Sequence, residues 1–224
     1  MDSRYRQILS YDQYDLKNNV QQYTGTDQNP VTIIWDYKNT MPIAWTKNAV
    51  LADVAATSFE ADGNGGWSFS GVPYAPTTVP PTGSMCYPLS GNPVSKAGLT
   101  TSMTYVVSYW SSTGASYSVT GSTSVKQGKT INGWTYFEHN VTGVTSVTIS
   151  GSGNIDELRL YPSTAQMTTY TYSPLIGMTT VCDVDNRVTY YNYDGLERLK
   201  WVKDQDGNII KTFQYHYLGQ PTRY

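Results

Sequence analysis

Charge is scarce in this chain of 224 residues: Asp, Glu, Lys and Arg make up 14% of it, and 15 basic against 17 acidic residues leave a net charge of -2. That balance lacks the basic footprint which duplex nucleic acid or an anionic membrane surface requires. No run of about 18 apolar residues occurs, so no segment reads as a membrane-inserted helix. The polar start Met1-Asp2-Ser3-Arg4-Tyr5-Arg6 is not a secretory signal peptide. Cysteine is limited to Cys86 and Cys182. Neither has a Cys or His at metal-ligand spacing, which excludes a zinc site or a redox Cys-x-x-Cys; two free thiols and, in an exported chain, one disulfide remain open. The two histidines, His139 and His216, stand near aromatics with no Gly-x-Ser-x-Gly elbow or similar catalytic context. Gly63-Asn64-Gly65-Gly66 runs into Trp67-Ser68-Phe69 rather than to a Lys, so it is not a phosphate loop. Helical periodicity is almost absent.

What is abundant is tyrosine, 20 residues, with 6 Trp, 19 Gly and 11 Pro. Short runs of Tyr, Val, Thr, Ile and Trp, broken by Gly, Asn, Asp and Pro at intervals of about ten residues, predict an all-β chain. Between Ala49 and Pro162 the spacing predicts strands at Val54 to Glu60, Gly66 to Phe69, Ser102 to Ser111, Ser116 to Thr120, Thr130 to His139, Thr145 to Ser150 and Ile155 to Tyr161. The proline-rich stretch Val72 to Asn92 is expected to be a long surface connection. Seven strands and one long loop fit a β-sandwich of the jelly-roll kind.

The flanks repeat themselves. Aromatic pairs recur every 21 to 22 residues, at Tyr170-Thr171-Tyr172, Tyr191-Asn192-Tyr193 and Phe213-Gln214-Tyr215, and a period of that size marks a repeat architecture. Asp-rich turns separate them, Asp183 to Arg187 and Asp204 to Asn208, and Asp206-Gly207 suits the positive φ of a type I′ hairpin turn. A weaker copy opens the chain, at Ser10-Tyr11-Asp12-Gln13-Tyr14-Asp15. Three regions follow: residues 1–48 and 163–224 as repeat strands and hairpins, and residues 49–162 as a sandwich inserted between them.

Tyr191-x-Tyr193-Asp194-x-x-x-Arg198-Leu199 followed by Asp206-Gly207-Asn208 resembles the YD repeat of the Rhs family of large exported bacterial proteins. Glu197 replaces the Gly usual before the Arg. Trp35-Asp36-Tyr37 to Ala44 and Tyr172 to Thr179 look like the variant found in the Bacteroidota. The resemblance implies strands wound into a β shell or spiral sheet, in some members around a toxin, and a chain that is a fragment of an extracellular or cell-surface protein. The central segment is similar to galactose-binding-like jelly rolls of carbohydrate-binding modules, through Ser58-Phe59-Glu60 before a Gly-rich turn and Trp67, Tyr105 to Trp110, and Ile155 to Pro162. That resemblance implies a structural Ca2+ held by Glu60, Asp156 and backbone carbonyls.

By the two-residue period of a strand, Asp156 shares a face with Leu158 and Leu160. A carboxylate on an apolar face must be paired, hydrogen-bonded or metal-bound; Asp53 and Asp62 are further candidate ligands. Sugar recognition needs flat rings and a few polar groups. Trp134 and Tyr136 alternate with Thr135 and Phe137, so the expected ligand face is Trp134 and Tyr136 with Tyr74 or Tyr87 from the Pro-rich loop, while Trp67 and Trp110 are expected in the core. The function expected is non-catalytic binding of a polysaccharide or other glycan, with the rest of the parent YD-repeat chain as structural partner. The alternatives are a structural or protein-interaction insert and, behind it, a glycan-processing enzyme.

Overall fold

The computed structural model describes residues 7–216, and its regular structure is almost entirely strand. Four strands come first: β1 (Leu9–Tyr14), β2 (Val20–Gly25), β3 (Pro30–Asp36) and β4 (Met41–Lys47). A single 3-10 turn, Leu51–Asp53, leads to β5 (Ala55–Thr57), β6 (Tyr87–Pro88), β7 (Val94–Ala97), β8 (Thr104–Ser111) and β9 (Ser118–Val119). Then follow β10 (Ser122–Ile131), β11 (Trp134–Thr142), β12 (Ser146–Ser150) and β13 (Asn154–Pro162). The last five are β14 (Gln166–Ser173), β15 (Gly177–Cys182), β16 (Val188–Tyr193), β17 (Leu199–Lys203) and β18 (Ile209–Thr212). No helix among the described residues is long and apolar enough to cross a membrane.

The first four and the last five strands form one antiparallel sheet of nine, in the order β1-β2-β3-β4-β14-β15-β16-β17-β18. β4 pairs directly with β14, from Lys47 with Gln166 to Ala44 with Thr169, and the Asn48 side chain donates to the Thr164 carbonyl at 3.1 Å. The segment between these strands is therefore inserted at one point of the long sheet. Four of the sheet's turns share one construction. Asp15, Asp183, Asp194 and Asp204 each accept, on one carboxylate oxygen, the backbone N–H groups two and four residues on. In each, the residue three after the Asp has a positive φ: Asn18, Asn186, Glu197 and Gly207. Asp206 does not share that conformation, so the turn predicted as type I′ is an Asp-anchored turn with a single left-handed residue.

The insert is a two-sheet sandwich. One sheet runs β10-β11-β8-β13-β5 with β6 on the end of β13, and the other runs β7-β12-β9. Phe59, Tyr87, Val107, Tyr109, Phe137, Ile149, Leu158 and Leu160 fill the space between them. Such a core stabilises by roughly 25 cal/mol for each Å² of apolar surface removed from water. The opposite side of the larger sheet packs on the long sheet, where Val106 and Tyr161 meet Ile34, Ile43 and Met167.

Four sequence expectations are corrected. Gly66 to Phe69 forms no strand, only a bridge from Ser68 to Ser95. β6, β7 and β10 went unpredicted; β10 is almost wholly exposed, so it carries no apolar alternation to betray it. The Pro-rich stretch is not confined to the surface, because Cys86, Tyr87 and Leu89 are buried in it. The strand period also breaks inside β13. Asp156 pairs with Trp110 and Arg159 with Ser108, which leaves one extra residue on β13. Glu157 has a φ of 51° there, a bulge that shifts the facing of everything beyond it. Ile155, Leu158 and Leu160 consequently share the core face, and Asp156 lies with Trp110 on the other.

Candidate functional site

The bulge gathers carboxylates where the sandwich meets the long sheet. Asp156 is fully buried and accepts the Thr82 N–H and hydroxyl, both at 2.9 Å, and the Glu157 N–H at 2.7 Å. Glu157 accepts the hydroxyls of Ser58, Thr82 and Thr169, and lies 4.0 Å from the buried Arg159 Nε. Glu60 accepts the N–H groups of Ser84 and Met85 and the Ser84 hydroxyl. Gly83, at φ +58°, allows this approach: a Cβ there would stand 2.2 Å from the Glu60 carboxyl carbon. Desolvation, with repulsion from neighbouring carboxylates, raises the pKa of Asp156 well above its usual value and that of Glu60 less.

The structure thus brings Glu60 and Asp156 to one loop, Thr82 to Met85. Among the described residues no three His, Cys, Asp or Glu converge as a metal cluster, so any cation shell here needs backbone and hydroxyl oxygens as well. The oxygen-only donor set, with negative charges that repel one another, fits a hard cation such as Ca2+. Asp53 and Asp62 do not join the pair. Asp53 accepts the Tyr105 hydroxyl at 2.6 Å, and Asp62 accepts the Lys38 N–H at 2.9 Å. Sequence reasoning overlooked Glu157 and Thr82. The adjacent acids in an otherwise apolar strand were a visible signal for the first; nothing marked Thr82 within its Pro-rich loop.

The expected ring platform is only partly present. Tyr87 is 0% exposed, stacks on Phe59 at 5.1 Å and accepts the Gly71 N–H on its hydroxyl; it is a core residue and not a ligand contact. Trp134 and Tyr136 do share a face opposite Phe137, but that face is covered, leaving them 1% and 6% exposed. They cluster with Cys86 and Trp110, and Trp134 Nε1 donates to the Thr78 carbonyl at 3.4 Å. Their flat faces are closed to a stacking sugar. Tyr74 differs, at 42% exposed, on a short bridge to Cys86. It shares a groove of about 360 Å³ with Trp134, Thr77, Thr78, Ser112 and Asn154. Trp67 lies in the sandwich core as expected, whereas Trp110 is buried on the other face of the sheet.

His139 is buried, with Tyr109 and Ser116 hydroxyls 2.9 and 3.1 Å from Nε2 and the Ser122 hydroxyl 2.9 Å from Nδ1. Burial lowers its pKa to about 4. Cys86 and Cys182 are both free thiols, each buried. Compared with known proteins, the chain matches no family model and no curated protein.

Proposed function

We propose that this chain is a non-catalytic glycan-binding module carried on the repeat sheet of a large exported or cell-surface bacterial YD-repeat protein. The observation that carries the reading is the groove in which the exposed Tyr74 ring stands beside hydroxyl and amide groups of Thr77, Thr78, Ser112 and Asn154. An apolar ring face with nearby polar groups matches a pyranose, which has one apolar face and a rim of hydroxyls. The four Asp-anchored turns support the repeat reading, since the same local construction recurs along the sheet. With β1 and β18 at its outer edges, the sheet is suited to continue into the rest of a parent chain. In this reading Glu60 and Asp156, with Thr82 and loop carbonyls, hold a structural Ca2+, which when bound supplies positive charge to the carboxylates.

Affinity gels and a glycan array test the proposal. Tyr74→Ala is expected to abolish retention on a bound neutral polysaccharide, because a stacked ring at the centre of a small site carries most of its affinity. Retention unchanged by Tyr74→Ala, or no retention on any polysaccharide, overturns it. A second reading, an insert that mediates adhesion to a protein or only braces the repeat sheet, is favoured by the burial of Trp110, Trp134 and Tyr136. It predicts folded protein with no glycan affinity at all.

A further inference from the structure

A second groove, of about 220 Å³, lies where the sandwich faces the long sheet and shares no residue with the Tyr74 groove. Its rear wall is Trp110 of β8 and Tyr136 of β11, edge to face at 5.5 Å. β10 forms one side through Lys126, Gly128 and Lys129, and the turns after β15 and β17 form the other through Asp185, Asn186, Arg187 and Gln205. Gly128 lets β10 close over the ring, because a Cβ there would meet Tyr136 at 2.8 Å. At the rim Lys129 reaches Asp206 at 3.3 Å and joins the two halves.

Two lining groups are left without partners among the described residues. Trp110 is 1% exposed and its Nε1–H has no acceptor, and the buried Oδ1 of Asn186 has no donor. Buried polar groups in folded proteins are almost always satisfied, so the donor and the acceptor left unmatched within the walls of this groove make a polar guest a better fit there than an apolar one. Arg159 stands behind this wall, in the cross-strand row Glu138, Ser108, Arg159. It is fully buried, and its Nε and Nη2 also lack hydrogen-bond partners.

We infer that this groove binds an acidic saccharide unit, a hexuronate within a glycan chain. Lys126 and Arg187 form no ion pair among the described residues, and Arg187 is the group suited to bidentate contact with a carboxylate. Glu138, which already accepts the Tyr136 hydroxyl at 3.2 Å, and Asp185 take hydrogen bonds from sugar hydroxyls. These two carboxylates disfavour a dianionic phosphate; with Lys129 held by Asp206, Lys126 and Arg187 are the cations left to meet one carboxylate. Because the walls come from both sheets, neither the sandwich nor the repeat sheet forms the site alone.

The experiment titrates the whole chain with short uronate oligosaccharides, their neutral counterparts and inorganic phosphate, following tryptophan fluorescence and heat. Uronates are expected to bind more tightly than neutral sugars, with affinity falling as salt rises. The double variant Lys126→Ala, Arg187→Ala, two exposed side chains, is expected to weaken uronate binding by about tenfold or more. Tyr74→Ala is expected to leave it unchanged, which separates this site from the one proposed above. Absence of uronate binding at millimolar concentration, equal binding of neutral sugars or phosphate, or an unaffected double variant that remains folded would overturn the inference.

Discussion

In the inserted sandwich Val107, Leu158 and Leu160 have no exposed surface, whereas Ile209 and Ile210 of β18 in the long sheet are 54% and 60% exposed. The sandwich is held by contacts between residues distant in sequence: Phe59 stacks on Tyr87, Tyr109 on His139, and β8 lies between β11 and β13. The long sheet, away from its junction with the sandwich, is set by local rules. Each Asp-anchored turn fixes its own hairpin, and strands add one after another, so its stability accumulates from contacts between neighbouring strands. The difference teaches where change is tolerated. A truncation in the closed core is felt by the whole sandwich, and one near the sheet's outer strand is felt by a single hairpin.

The largest expected effect breaks that comparison directly. Leu158→Ala is expected to cost about 3 kcal/mol, the usual range for an apolar side chain deleted from a closed core, while Ile209→Ala is expected to stay within about 0.5 kcal/mol. Urea unfolding of the two variants measures both, and equal losses would show that the two regions do not differ as described.

His139 sharpens the comparison with pH. Its folded pKa of about 4 lies below the ordinary 6.5, so the unfolded chain takes up a proton that the folded chain resists. Its contribution is therefore intact above pH 6.5 and is lost progressively as the pH falls toward 4, by up to about 3 kcal/mol. The difference in unfolding free energy between wild type and His139→Gln, followed from pH 7 to 4, isolates this term. It is needed because Asp36, Glu60 and Asp156 have raised pKa values and act in the opposite sense, losing stability as pH rises. A flat difference would remove His139 as the cause.

Calcium tests the junction between the regions. If Glu60 and Asp156 share a cation, Ca2+ at a hundredfold excess over its dissociation constant stabilises by about 2.7 kcal/mol; a chelator reverses this and Glu60→Gln prevents it. Scanning calorimetry with and without Ca2+ reads the shift, and an unchanged Tm in all three conditions argues against the metal. The smallest effect lies in the long sheet. Glu197 occupies the left-handed position of the Asp194 turn at φ 61°, so Glu197→Gly is expected to gain about 1 kcal/mol. Denaturant titration checks the sign, which local turn chemistry alone sets.

Much of the long sheet is legible in the sequence, because its signals are local. The Asp residues, the Gly or Asn three positions later in three of the four turns and the recurring Tyr pairs all lie within about 20 residues of one another. The strands β8, β11, β12 and β13 were legible for the same reason, as runs of aromatic and β-branched residues. β10 was not, since Ser122 to Ile131 faces solvent along nearly its whole length and an exposed edge imposes no pattern. The ring residues were legible only as a set: the alternation of Trp134 and Tyr136 with Phe137 was visible, but not what packs over them.

By itself, then, the sequence determined an all-β chain, the placing of most strands and the Asp-rich turns, all of which follow from backbone preference and two-residue alternation. Only the tertiary structure decided which face is which. The single extra residue at Glu157 turned Asp156 away from the core, and the Pro-rich stretch, through Thr78 and Cys86, closed over Trp134 while leaving Tyr74 open. The physical reason is that alternation defines two sides of a strand, whereas burial depends on which distant element lies against each side.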